Sequence, residues 1–181
     1  MVTARRLPDL RPLRRPISAD TSIRVAASLA ILAACGLAQE GPARRLDTAA
    51  LPVSRVVDGD TLHVLHGSRD LIVRLIGIDA PEVGWYGGDP ECYGARSGRF
   101  LVRLIEDEEV RLEFDRERMD PYGRTLAYAY LPGRGMVNVV LVRRGLAVVT
   151  IFPPNDRHEG RLRRAEAAAQ GAGAGLWSSC P

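Results

Sequence analysis

The sequence predicts a mainly β chain with helices (α+β), built as a small, partly open barrel with the helices packed outside. Two observations carry this. Between Leu51 and Leu131, short β-branched and apolar runs alternate with turns rich in Gly, Pro and Asp. Three other stretches carry helix start and stop signals instead. A length of 181 residues leaves room for one ordinary domain and a modest extension.

The elements follow in order. Leu51–Val57 reads as a strand leading into the turn Asp58-Gly59-Asp60, with Thr61–Leu65 as its return. His66-Gly67-Ser68 turns the chain again, and Leu71–Ile78 is apolar enough for a barrel strand. Ala80–Pro90 is a loop. Asp89-Pro90-Glu91 has the form of a cap, a first-turn Pro and a dipole-favourable acid, so a helix is expected from there to Ile105, with Leu101, Leu104 and Ile105 inward. Val110–Phe114 and Thr125–Leu131 read as strands. Met136–Arg144 is a short helix stopped by Gly145, and Leu146–Phe152 is extended. Asp156 and Glu159 have capping-box spacing for a last helix to about Ala169. No internal repeat is visible.

Composition (46% hydrophobic, 26% charged) excludes a disordered or wholly membrane-embedded chain. The formal charge of +3 is not an argument for a polyanionic partner. All 25 basic residues are Arg; six of them and two of the 22 acids precede Cys35, leaving 19 against 20 and a charge of −1. Affinity for a polyanion is therefore expected to fall with salt less steeply than for a basic protein.

Val25–Gln39 is uncharged and follows an Arg-rich front. It is short for a membrane span, which takes roughly 20 apolar residues, and suits a signal-peptide core. Leu32-Ala33-Ala34-Cys35-Gly36 resembles a lipobox that makes Cys35 a lipidated first residue; cleavage after Ala38 is the alternative. Residues 1–38 are expected to be the export segment, 39–50 a linker, 51–177 the domain and 178–181 a tail. Export places the product outside the cell, in the periplasm or on the envelope through lipid on Cys35. It also leaves Cys92 and Cys180 in an oxidising compartment. That favours a disulfide between them, with two separate thiols as the alternative.

Three stretches carry chemistry. Asp58-Gly59-Asp60-Thr61 puts two carboxylates at a tight turn, Arg74 to Glu82 ends a strand with two more acids, and Asp120–Arg124 presents an Arg after a turn. A hard divalent cation takes oxygen ligands: Asp60 and Asp79 offer carboxylates, Ala80 its carbonyl, and Asp58 or Thr61 outer support. Calcium, magnesium and manganese all fit such a set. Phosphodiester hydrolysis further needs an activated water and counter-charge on the phosphoryl oxygens. Glu82 suits the first role, Arg74 and Arg124 the second. An Arg inside an apolar strand demands a partner, so Arg74 marks either a site or a buried ion pair.

The segments VVDGDT, VRLIGIDAPE, DPYGR, VNVVLVRRGLA, PPNDRHEGRLRRAEAAA and GLW, in this order and spacing, resemble the staphylococcal-nuclease (thermonuclease-like) domain over about residues 51–177. The resemblance implies an OB-fold five-stranded barrel with about three helices. It also implies dependence on one Ca²⁺ and cleavage of DNA and RNA to 3′-phosphorylated products. It makes Asp60, Asp79 and the Ala80 carbonyl metal ligands, and Arg74, Glu82 and Arg124 catalytic. Two family tyrosines of the nucleotide pocket are replaced by Thr150 and Phe152, and a family Lys by Pro121, while Tyr122 is kept. Tyr122 and Phe152 are the expected substrate contacts. A monomer is expected, and a non-catalytic OB-fold module binding nucleic acid or protein is the alternative function.

Other residues read as structural. His63 and His66 are expected at the surface, His158 as a hydrogen-bonder and Trp177 as packing for the tail. For Trp85 and Tyr86, substrate contact and local packing are equally open.

Overall fold

The computed structural model describes residues 48–84 and 89–181. The export segment, Cys35, the linker up to residue 47, Trp85 and Tyr86 lie outside them.

Five strands close into a ring. β1 (Leu51–Val56), β2 (Thr61–His66) and β3 (Arg69–Leu75) form an antiparallel meander. β5 (Glu109–Glu113) pairs antiparallel with both β1 and β6 (Thr125–Leu131). The parallel pairing of β3 with β6 completes the barrel, which gives the OB-type α+β fold expected. Closure removes most unpaired strand edge and encloses Leu62, Val64, Val73, Leu75, Val110, Leu112, Ala127 and Ala129, all without exposed surface. A two-residue β7 (Gly135–Met136) pairs antiparallel with the end of β6. Three helices, α1 (Gly94–Ile105), α2 (Val137–Arg143) and α3 (Glu159–Gly171), pack outside, followed by the single turn α4 (Leu176–Ser179).

The expected strand Leu71–Ile78 is broken. β3 stops at Leu75, Gly77 takes φ +80°, and the chain resumes as β4 (Ile78–Asp79), paired with β8 (Val148–Val149). A side chain at Gly77 would meet Leu162 of α3 at 2.6 Å, so helix packing presses on this turn and only Gly tolerates both constraints. The reversal brings Asp79 back beside Arg74. The expected extended run Leu146–Phe152 keeps only β8 as strand.

The expected helix start at Asp89 is also displaced. α1 begins at Gly94, behind a left-handed Tyr93 and without a side-chain cap. Residues 89–91 are engaged elsewhere: the Glu91 N–H donates to the Glu82 carbonyl at 3.0 Å. Leu101 and Ile105 are buried as expected, and Leu104 packs half-buried against them. At α3 the expected capping box does not form. His158 holds the N-cap position, and Asp156 contributes its carbonyl to the Glu159 N–H. α2 ends at Arg143, and Gly145, φ +63°, turns the chain away two residues later.

His63 is not at the surface. It is buried, with Nδ1 2.7 Å from Asp70 and Nε2 2.9 Å from Arg55; His66 is exposed. His158 is buried against Glu113 at 3.0 Å and edge-on to Tyr128. Cys92 and Cys180 form a disulfide with Cα atoms 5.8 Å apart, tying the segment ahead of α1 to the end of the chain.

Glu113 makes a test of the fold. Its burial opposes ionisation, but the Tyr130 hydroxyl, the His158 ring and the Arg157 guanidinium outweigh it and hold the carboxyl below the ordinary range. A depressed carboxylate contributes stability above its unfolded pKa and loses it as pH falls through the folded one. Urea midpoints across an acid pH series should therefore fall less steeply in Glu113→Gln than in wild type. Parallel curves would remove this group from the acid response.

Candidate active site

The β1–β2 turn builds the floor. Asp58 Oδ1 accepts the Asp60 N–H at 3.0 Å, an Asx turn. Gly59 is required because a side chain there would overlap Ala80 and Ser97, with Cβ contacts of 2.5 and 2.8 Å. Asp60 is thereby driven inward, to 5% exposure. Its Oδ1 accepts the Thr61 hydroxyl at 3.1 Å and its Oδ2 the Ala80 N–H at 2.7 Å. Oδ2 also forms an ion pair with Nη1 of Arg74.

Arg74 lies opposite Thr61 in the β2–β3 register, near the end of β3. Its Nη2 donates to Asp79 Oδ1 at 2.6 Å. One guanidinium thus spans a buried and a half-exposed carboxylate, and Arg74 has the partners that its apolar strand demanded. Burial still dominates Asp60. Against the attraction of Arg74 it pushes the carboxyl up to about 7, with Asp58 adding repulsion.

Glu82 is exposed on the loop after β4. Burial of part of its carboxyl, then Asp58, Asp79 and Glu91, raise its pKa against the pull of Arg74. Its backbone is held at both ends by one residue: the Glu82 N–H donates to the Glu91 carboxylate and the Glu82 carbonyl accepts the Glu91 N–H, each at 3.0 Å.

Arg124 is organised by Asp120. The Asp120 carboxylate accepts the Arg124 Nε at 2.6 Å, the Arg124 N–H at 2.8 Å and the Tyr122 N–H at 2.9 Å. The Arg124 guanidinium lies 5.5 Å from the Tyr122 ring centre. Arg74, Asp79, Asp120, Tyr122, Arg124 and Phe152 line one cleft of about 530 Å³. Tyr122 and Phe152 are 85% and 72% exposed on its walls. Asn155 bridges two of those walls, its amide accepting from the Glu117 N–H at 2.9 Å and donating to the Glu117 carbonyl at 3.0 Å.

The structure brings Asp60, Arg74, Asp79 and Ala80 into direct contact, with Arg124, Tyr122 and Phe152 on the same cleft as Arg74 and Asp79. Glu82 is near these acids but is not among the cleft-lining residues. The contact that Ala80 makes is through its N–H. Among the described residues, no three His, Cys, Asp or Glu side chains converge as a metal cluster. Sequence reasoning assigns Asp120, Asn155 and Glu91 no role in the site. Asp120 had a readable signal, an Asp three residues ahead of Gly in a turn; the other two had none.

Fold and site together define an OB-barrel protein with an acid–arginine cleft walled by exposed aromatic rings. The chain belongs to the family of staphylococcal nuclease homologues, which it matches over residues 72–179. It is 41% identical over 125 residues to a thermonuclease of Staphylococcus intermedius, covering 69% of this chain and 74% of that one. To a thermonuclease of Staphylococcus hyicus it is 33% identical over 162 residues (87% and 95%). To endonuclease YncB of Bacillus subtilis it is 32% identical over 128 residues (70% and 60%).

Proposed function

We propose that the chain is a nuclease, a hydrolase of phosphodiester bonds in DNA, RNA or both, dependent on one divalent cation that we read as Ca²⁺. The observation carrying this reading is the Arg74 guanidinium shared by Asp60 and Asp79, facing one cleft with Arg124. The donors suit a hard cation: two carboxylates and the Ala80 carbonyl supply oxygen only. An Asp60 carboxyl raised to about 7 by burial is a group that further positive charge would return to its ionised form.

Asp60, Asp79 and Ala80 would hold the cation, whose chemistry when bound is Lewis-acid charge on a phosphoryl oxygen and a more acidic water. The protein's own residues do the rest. Arg74 and Arg124 present planar forks to the non-bridging oxygens, and Asp120 fixes the Arg124 fork before substrate arrives. Glu82, with its pKa raised toward the working range, accepts the proton of the attacking water. Tyr122 and Phe152 offer faces for a base or sugar, each such stack contributing about 1–3 kcal/mol. We read the protein as a monomer.

Incubating the purified protein with single-stranded DNA, with Ca²⁺ or with chelator, tests the reading. Degradation that stops in chelator is expected. Gel retardation without degradation would instead make the chain a non-catalytic binding module and refute the enzyme.

We read the protein as exported, on the leader pattern ahead of Cys35 and on the disulfide, which suits an oxidising compartment. Among the described residues, no helix is long and apolar enough to cross a membrane. Mass spectrometry of the mature amino terminus separates lipid on Cys35 from simple cleavage.

A further inference from the structure

We propose that the outer face of α1 is a second anion site, an exosite that holds phosphates of a single nucleic-acid strand away from the bond being cut; it rests on the nuclease reading above. Tyr93, Arg96, Arg99, Phe100, Arg103 and Leu146 line a groove of about 320 Å³ on this face, apart from the cleft. The three arginines recur at spacings of three and four, which places them on one side of the helix.

Among the described residues no carboxylate pairs with them. α1 and α2 contain no acid, and the neighbouring acids in sequence, Glu91 and Glu106, lie beyond the two ends of α1. Among the described residues the ion-paired arginines are Arg74, Arg116, Arg124, Arg134, Arg157 and Arg163. Arg96, Arg99, Arg103 and Arg144 are not in that set. Aromatic rings hold two of them without cancelling charge. Arg96 lies 5.0 Å over Tyr93 and donates to its hydroxyl at 3.3 Å, and Arg144 lies 5.9 Å over Phe100. Like charges at these helical spacings destabilise the helix, so the stripe costs the fold something that an anion would return.

Position ties the groove to the site. The opposite face of α1 packs beneath the acidic turn and the Glu82 loop: a side chain at Gly98 would touch Val83 at 3.6 Å and Asp58 at 3.7 Å. The groove is therefore one helix thickness, about 10 Å, from the turn that carries Asp60. A groove combining guanidinium forks with two aromatic rings matches single-stranded nucleic acid, which offers phosphates and bases together. A flat anionic surface such as a membrane would use neither the groove nor the rings.

The test compares wild type with the triple variant Arg96→Ala, Arg99→Ala, Arg103→Ala on a single strand of about 30 nucleotides and on a dinucleotide. For the long strand KM should rise about tenfold with kcat unchanged, and the dinucleotide should be cleaved as by wild type. The salt dependence of log KM should flatten by about 2, for three phosphate contacts at roughly 0.7 each, and the triple Lys variant should recover most of the loss. Wild-type KM and slope on the long strand would overturn the exosite, as would an equal loss on the dinucleotide. Loss of adsorption to phosphatidylglycerol vesicles with unchanged DNA kinetics would also overturn it, assigning the face to lipid. If wild type cleaves neither substrate, the nuclease reading fails by itself. Fluorescence anisotropy of the long strand on both proteins then decides the exosite, equal affinities refuting it.

Discussion

Arg124→Ala is expected to lower kcat by about 10³-fold, at the scale of losing one preorganised donor to developing charge, with the fold intact. The structure gives the reason. Arg124 is held by Asp120 through its side chain and its backbone, so its fork is fixed in place before any phosphate enters. In the proposed reaction, removing it deletes a contact that strengthens as negative charge develops, which would lower kcat and kcat/KM together. Arg124→Lys should recover little, because an ammonium cannot reproduce two parallel N–H donors. Glu82→Gln should lose turnover by orders of magnitude as well, through loss of the proton acceptor. Steady-state kinetics on a defined oligonucleotide check both; a variant within threefold of wild type would strip that residue of its role.

The second large effect concerns stability. The Cys92–Cys180 disulfide closes a sequence separation of 88 residues, for which chain entropy gives about 4–5 kcal/mol. At about 3–4 °C per kcal/mol for a domain of this size, the double variant Cys92→Ser, Cys180→Ser should melt on the order of 15 °C below wild type. Wild type in reductant should approach the same midpoint. The bond also sits next to Glu91, whose carboxylate and N–H clamp the Glu82 backbone. Calorimetry with and without reductant measures the effect, and coincident transitions would show that the crosslink contributes nothing.

What the sequence revealed depended on whether a residue's role was local. Thr125–Leu131 was legible to the residue because its run of apolar and aromatic residues and the turn before it are local signals. Leu71–Ile78 was misread as one strand because its break at Gly77 answers to Leu162, far along the chain. The caps at Asp89 and Asp156 fit local rules and still failed, Glu91 being bonded to Glu82 and the Asp156 carboxylate paired with Arg116, contacts that the sequence does not display. His63 looked like a hairpin surface residue, and is buried by Arg55 and Asp70 from the strands on either side. In the site, Arg74 announced itself as a charge in an apolar strand. Glu91 and Asn155 did not, since each acts by holding a neighbour.

One measurement goes most directly to the central claim, that two acidic turns share a divalent ion beside a phosphate-binding pair of arginines. It is the cleavage rate of single-stranded DNA as a function of Ca²⁺ concentration, for wild type and for Asp60→Asn. A buried Asp60 carboxylate that helps to hold the ion predicts a half-saturating Ca²⁺ at least about tenfold higher in the variant, on the scale of a 1.4 kcal/mol loss in affinity. Superimposable curves would mean that Asp60 and its turn are only structural, and the proposed centre would have to be given up.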